Sequence, residues 1–165
     1  MDKQAYIKNK IFDNHSLEKN LALWRFFGKK IVFTNGVFDL MHYGHIDYLS
    51  KAASLGDVLI VGMNTDTSVS KIKGPSRPIN DEKSRLHVMA SLFFVAGVIL
   101  FDELTPINLI TKIQPNVLVK GGDYTIEQIV GHEVVQAGGG EVVVIDFVPG
   151  YSTTALEKKI RDSNR

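Results

Sequence analysis

Runs of apolar, β-branched residues alternate with helically spaced stretches along most of this chain, and that alternation restricts its fold more than any other feature. Residues 30–35, 57–64, 97–101, 116–120 and 141–147 read as strands, and 16–27, 44–55, 81–92, 106–113, 126–137 and 152–161 as helices. Strands this continuously apolar are buried on both faces, so helices must cover both sides of a parallel sheet. The pattern predicts a doubly wound α/β fold of about five parallel strands with helices on both faces and right-handed crossovers. In such sheets ligands bind beyond the carboxyl ends of the strands, where the strand order reverses.

Composition narrows the function. At 165 residues the chain makes one domain able to bury roughly two thirds of its unfolded surface. Residues 1–28 are expected to form an N-terminal helical extension and residues 29–165 the single Rossmann-like domain. A net charge of +1 gives no electrostatic footprint for nucleic acid or a membrane surface, so neither is expected as a partner. The chain has no cysteine, which excludes a disulfide framework and thiolate zinc sites and fits a cytoplasmic protein. Met1-Asp2-Lys3-Gln4 begins no apolar leader, and no apolar run reaches membrane-spanning length.

Local signals support the boundaries. Thr105-Pro106 reads as an N-cap followed by proline at the first helical position, and Asn80-Asp81-Glu82 as a capped, acidic first turn. Gly138-Gly139-Gly140 ends one helix before a strand. Residues 71–78, Lys-Ile-Lys-Gly-Pro-Ser-Arg-Pro, read as the one long basic Pro/Gly-rich loop. No repeat or linker interrupts the chain, and 162–165 are expected to fray. Met63 and Met89 read as core filler, and Phe93-Phe94 as buried under the sheet rather than facing a partner.

Chemistry concentrates where the first strand of the domain gives way to a helix, in Gly36-Val37-Phe38-Asp39-Leu40-Met41-His42-Tyr43-Gly44-His45. His42 and His45 are three positions apart and share a face of the first helical turn. Free N–H groups and the positive dipole end lie there, so an anion would sit between amide donors and two imidazoles. Packing alone calls for no such pair. Asp39 could orient a histidine, cap the turn or help hold a metal through water; no protein-ligated metal site is expected. Lys71, Lys73 and Arg77 follow the second strand and would suit a lid closing on a triphosphate. Arg85 could pair with Asp81 at i,i+4 or reach a phosphate. In Lys120-Gly121-Gly122-Asp123-Tyr124 the glycines would let a flat base approach the backbone, with Asp123 and Tyr124 supplying a hydrogen bond and a stacking face. Gly150-Tyr151-Ser152-Thr153-Thr154 opens the last helix, with Ser152 either a plain N-cap or part of a second anion cradle.

Other patterns fall short. His132-Glu133-Val134-Val135-Gln136 lacks the second histidine of a zinc protease helix. Neither a Walker A sequence nor a G-x-S-x-G elbow is present, and no serine is set up as an activated nucleophile.

The segment Gly36–His45 together with Gly150–Thr154 resembles the cytidylyltransferase-like nucleotidyltransferase superfamily, marked by GxFDxxHxGH and a late STT. Thr34-Asn35-Gly36, Asn64-Thr65-Asp66, Lys71-Ile72-Lys73-Gly74, Arg77-Pro78 and Lys120–Tyr124 extend the resemblance to one branch, the adenylyltransferase domain of bacterial ADP-heptose synthase. It covers almost everything from Lys29 to Arg161. The resemblance implies that ATP, with Mg²⁺ on its triphosphate, condenses with a sugar 1-phosphate of the heptose class to give ADP-sugar, a step of lipopolysaccharide biosynthesis. His42, His45 and Lys73 would then be catalytic. Asn35, Gly36, Phe38, Asp39, Gly44, Lys71, Lys120, Gly122, Asp123, Tyr151, Ser152 and Thr153 would bind the nucleotide, and Asn64, Asp66, Arg77 and Arg85 the second substrate. Relatives suggest a homodimer. Val37 stands where the branch often has cysteine, and Val95-Ala96-Gly97 where it has Val-Asp. Phe147 replaces an arginine of the glycerol-3-phosphate cytidylyltransferases, which argues against that CTP-dependent alternative. A non-catalytic nucleotide-binding module is the other alternative, although it need not keep His42, His45, Lys73 and Ser152 together. The sugar kinase domain often fused to this activity has no counterpart in the sequence, so the expectation is an enzyme acting on a phosphate made elsewhere.

Overall fold

The computed structural model of the protein describes residues 2–163. Its elements in chain order are α1 (Lys3–Lys8), β1 (Ile11–Phe12), α2 (Asn14–Phe26), β2 (Ile31–Gly36), α3 (Tyr43–Ala53), β3 (Val58–Asn64), α4 (Asp66–Lys73) and α5 (Glu82–Ser91). They continue as β4 (Gly97–Phe101), α6 (Ile107–Ile113), β5 (Val117–Gly121), a 3₁₀ turn (Ile126–Gln128), α7 (His132–Ala137), β6 (Glu141–Ile145) and α8 (Thr153–Ser163). The strands form one parallel sheet in the order β1-β4-β3-β2-β5-β6. From β2 the chain winds one way through β3 and β4, then returns to the other side of β2 for β5 and β6. The reversal lies between β2 and β5, and a crevice opens there at the carboxyl ends.

The sheet has six strands rather than about five. The segment expected as a helical extension contributes β1, which pairs with β4 in the register Ile11↔Val98 and Phe12↔Ile99. Gly97 makes this docking possible: a Cβ there would stand 1.9 Å from the Phe12 ring.

Alternation along the strands divides the core in two. Val32, Val61, Val98, Val117 and Val119 face α3 and α5, where Tyr48, Leu49, Ala52 and Met89 pack. Ile31, Phe33, Ile60, Ile99 and Leu118 face α2, α6 and α7, against Leu17, Leu21, Ile110 and Val135. Met63 and Met89 are fully buried, as core filler should be.

Other expectations change as well. The basic segment starting at Lys71 is helical through Lys73, because α4 is capped by Thr65, whose hydroxyl accepts the Ser68 N–H at 3.1 Å. The helix expected over 126–137 is a 3₁₀ turn and a separate α7, broken where Gly131 takes φ +89° against Ile110. Phe93 is exposed, not under the sheet; α5 stops at Ser91, Leu92 is extended, and only Phe94 packs back on the core. Pro106 itself occupies the N-cap of α6, one position later than the Thr105 cap expected. Asp162 continues α8, while Asn164 and Arg165, also expected to fray, lie outside the described residues. Among the described residues no helix is long and apolar enough to cross a membrane.

Candidate active site

The two glycines of Gly36–His45 answer to close packing of rings. A Cβ on Gly36 would meet the Phe38 ring at 2.9 Å, and one on Gly44 would meet the His42 imidazole at 3.2 Å and the Tyr151 Cβ at 3.1 Å. Phe38 itself takes φ +50°, which turns the chain out of β2 and lays its ring edge-on to His45. α3 then starts with His42 at the N-cap, and no side chain caps the first turn. Tyr48, one turn beyond His45, ties α3 to the sheet: its hydroxyl lies 2.6 Å from the Thr34 hydroxyl and donates to the Val119 carbonyl at 3.2 Å.

On that anchored turn the imidazoles of His42 and His45 stack, with ring centroids 3.9 Å apart and planes 26° from parallel. Both Nδ1 atoms are buried and have no hydrogen-bond partner. Burial lowers the pKa of His42. For His45, burial, the neighbouring His42 and the Lys73 ammonium together bring it down to about 4. Two neutral rings thus wait beside the open end of a helix. An arriving polyanion would reverse the balance that keeps them uncharged.

Asp39 fills none of the three roles expected for it. Its buried carboxylate accepts the Ile79 N–H at 2.9 Å, the Asn80 N–H at 2.8 Å and the Arg77 guanidinium at 2.9 Å. Burial works against its ionisation, but these bonds outweigh it and hold the pKa below the usual carboxylate value. Asp39 therefore clamps the 77–80 segment to the motif and leaves no oxygen free for a histidine or a metal. Arg77 continues the clamp to Glu157 on α8.

Arg85 is likewise a strut, in place of the Asp81 pair or the phosphate contact expected. Its buried guanidinium donates to the carbonyls of Asn80, Val37 and Asn64 and to the Asp66 carboxylate. Asp66 is held in turn by the Glu82 N–H. Asn64, Asp66, Arg77 and Arg85 were expected at the second substrate, yet only Asn64 lines a cavity of the crevice.

Two adjoining cavities occupy the crevice. The smaller, about 240 Å³, is lined by Phe38, His45, Tyr48, Gly121, Phe147 and Thr153 among others. The larger, about 490 Å³, is lined by Asn64, Phe101, Thr105, Pro106, Gln128 and Ile129 among others. Asn35, Gly36, Val37, Lys73, Lys120 and Tyr124 border both. His42 lies in a neighbouring cleft with Tyr43, Tyr151 and Ser152. The Ser152 hydroxyl accepts the Ala155 N–H at 3.1 Å, which is the plain N-cap reading. Gly122, at φ +112°, admits the Phe147 ring. Lys71 lines neither cavity and points to Asp102 at 3.9 Å, and Asp123 is exposed beyond the rim.

Sequence reasoning passed over Tyr48 and the far wall of the larger cavity, and weighed Phe147 only as the replacement of an arginine, not as a cavity wall. Tyr48 could have been found by continuing the three-residue spacing from His42 through His45. Phe101 and Gln128 carry no local signal, and Thr105 signalled only a helix start. Among the described residues no group of three metal-ligating side chains stands together.

A cytidylyltransferase-like family model matches residues 33–159. The chain is 50% identical over 159 residues to the bifunctional protein HldE of Bradyrhizobium sp. (strain ORS 278), covering 96% of this chain and 32% of that one. It thus spans about a third of the length of the curated relatives it matches. The crystal structure of the lipopolysaccharide core biosynthesis protein from Thermoplasma volcanium GSS1 superposes with a TM-score of 0.59 at 31% identity, over 73% of this chain and 98% of that one. Pantoate-beta-alanine ligase from Francisella tularensis shares the fold, with a TM-score of 0.56 at 17% identity over 94% of this chain and 78% of that one.

Proposed function

The chain belongs to the cytidylyltransferase-like family, and on that footing we propose that it is a nucleotidyltransferase condensing ATP with a sugar 1-phosphate of the heptose class. The products are the ADP-sugar and pyrophosphate. The observation that carries this reading is the stacked His42–His45 pair, its Nδ1 atoms unpartnered, on an uncapped helix N-terminus beside Lys73. That arrangement suits a triphosphate better than any packing role. Phe147 supports a nucleobase in the smaller cavity: its ring closes on Gly121, where a Cβ would meet it at 2.5 Å, and gives that cavity an aromatic wall.

The reaction is a single in-line displacement. An oxygen of the sugar phosphate attacks the α-phosphorus, the bond to the bridging oxygen breaks, and pyrophosphate leaves with the electron pair. No protein nucleophile is needed. A phosphate monoester is already largely ionised at neutral pH, with its second pKa near ~6, so no strong general base is needed either. His42 and His45 donate to the oxygens that gain charge, Lys73 neutralises the phosphates, and Thr153 at the start of α8 closes the smaller cavity. Asp39, fully engaged, offers Mg²⁺ no ligand, so the ion enters on the triphosphate as part of the substrate and shields its charge. We place the reaction in the cytoplasm, where nucleoside triphosphates are made, and expect two copies of the chain to associate.

Pyrophosphate release tests the reading. ATP, Mg²⁺ and a panel of sugar 1-phosphates should give turnover, highest with a heptose 1-phosphate. Preference for CTP with glycerol 3-phosphate, or saturable nucleotide binding without turnover on any acceptor, would overturn it.

A further inference from the structure

Successive strand residues point to opposite faces of a sheet, and that parity divides the crevice. Ile99, Ile60, Phe33 and Leu118 face α2, α6 and α7. Counting in steps of two from each, Phe101, Asn64, Asn35 and Lys120 emerge on the same face at the carboxyl ends of β4, β3, β2 and β5. All four line the larger cavity. α3, with both histidines, packs on the opposite face. Lys120, expected from the resemblance among the nucleotide contacts, thus rises on the side away from the imidazoles and reaches the border that the two cavities share.

Its surroundings make it an anion receptor. Burial alone lowers the Lys120 ammonium below the usual lysine value, and no carboxylate offsets that burial among the described residues. A partly buried cation without a partner is costly unless a ligand supplies the opposite charge. Around it, Asn64, Thr105 and Gln128 offer amides and a hydroxyl, while Phe101, Pro106 and Ile129 give apolar walls. Lys120, with Lys73 on the shared border beside the histidines, several neutral hydrogen-bonding groups and flat apolar surface together match a phosphorylated polyhydroxylated ring.

The geometry points to the larger cavity as the acceptor subsite, with Lys120 binding the phosphate of the sugar phosphate at the border facing the triphosphate. This rests on the nucleotidyltransferase reading and assigns one half of its site. Lys120 stays protonated throughout; the phosphate oxygen it does not hold forms the new bond to the α-phosphorus.

Calorimetric titration tests the assignment on the full chain, first with a non-hydrolysable ATP analogue and then, with the analogue saturating, with heptose 1-phosphate and mannose 1-phosphate. Lys120→Met should leave analogue affinity within about twofold and weaken sugar phosphate binding about tenfold or more, while Lys120→Arg restores most of it. The thermal midpoint of the free Lys120→Met protein should not fall, since an unpaired charge is removed. Loss of analogue affinity in parallel, or sugar phosphate affinity indifferent to Lys120→Met, overturns the assignment and leaves the nucleotidyltransferase reading standing. A wild-type protein that binds the analogue but no sugar phosphate sinks both.

Discussion

At the scale of single residues, burial keeps two imidazoles neutral, and on the proposed function a bound triphosphate charges them. His42→Ala and His45→Ala should each lower turnover by about a hundred- to a thousandfold if each removes one transition-state donor, with little change in thermal midpoint. Steady-state pyrophosphate assays and circular dichroism check the two halves of that statement. The pH dependence follows from linkage. Free His45 titrates near 4 and His42 below its ordinary value, whereas a bound triphosphate favours both imidazolium forms. The complex therefore binds more protons than the free protein, and affinity for an ATP analogue should rise as pH falls from about 8 to about 6.5, the ordinary range of imidazole titration. Calorimetry should show the slope in the wild type and lose much of it in His45→Gln. This much was legible in the sequence, because three-residue spacing on a helix start is a local pattern. The roles of Asp39, Arg77 and Arg85 were not. Their partners lie far along the chain, as with Asp39 and Asn80 or Arg85 and Val37, and no local spacing announces such contacts.

Among the elements, five strands could be read from their apolar runs, while the two-residue β1 was too short to show a pattern. α4 was masked by its sequence: Lys71, Lys73 and Gly74-Pro75 look like a loop, yet the Thr65 cap and the buried Ser68 and Val69 carry the helix to Lys73. β1 depends on Gly97, and Gly97→Ala would press a methyl into the Phe12 ring. Overpacking of this kind costs about 1–3 kcal/mol, so denaturant titration should show that loss while nucleotide affinity stays near wild type. α8 has no buried residue and is held to the motif through Glu157, Arg77 and Asp39. Glu157→Gln should speed hydrogen exchange across α8 and raise the KM for ATP severalfold with a smaller effect on kcat. Unchanged exchange there would show that the Tyr43–Tyr151 contact, at 5.0 Å between centroids, suffices to seat the helix.

For the whole molecule, the strand order places everything of consequence at one reversal. β2 stands between β3 and β5, so its carboxyl end opens toward α3 on one face and toward α6 and the 3₁₀ turn on the other. Alternating apolar runs foretold a doubly wound sheet and a site at its carboxyl edge. They could not foretell that the crevice is double, because its far wall comes from Phe101 at the end of β4, Thr105 in the loop before α6 and Gln128 in the 3₁₀ turn after β5. The central claim is that the triphosphate sits on the His42–His45 side of this divide. A crystal structure with a non-hydrolysable ATP analogue tests it most directly. The account predicts the α-phosphate within hydrogen-bonding distance of both imidazoles and the base in the smaller cavity; a triphosphate lodged elsewhere, with the imidazole pair still bare, would contradict it.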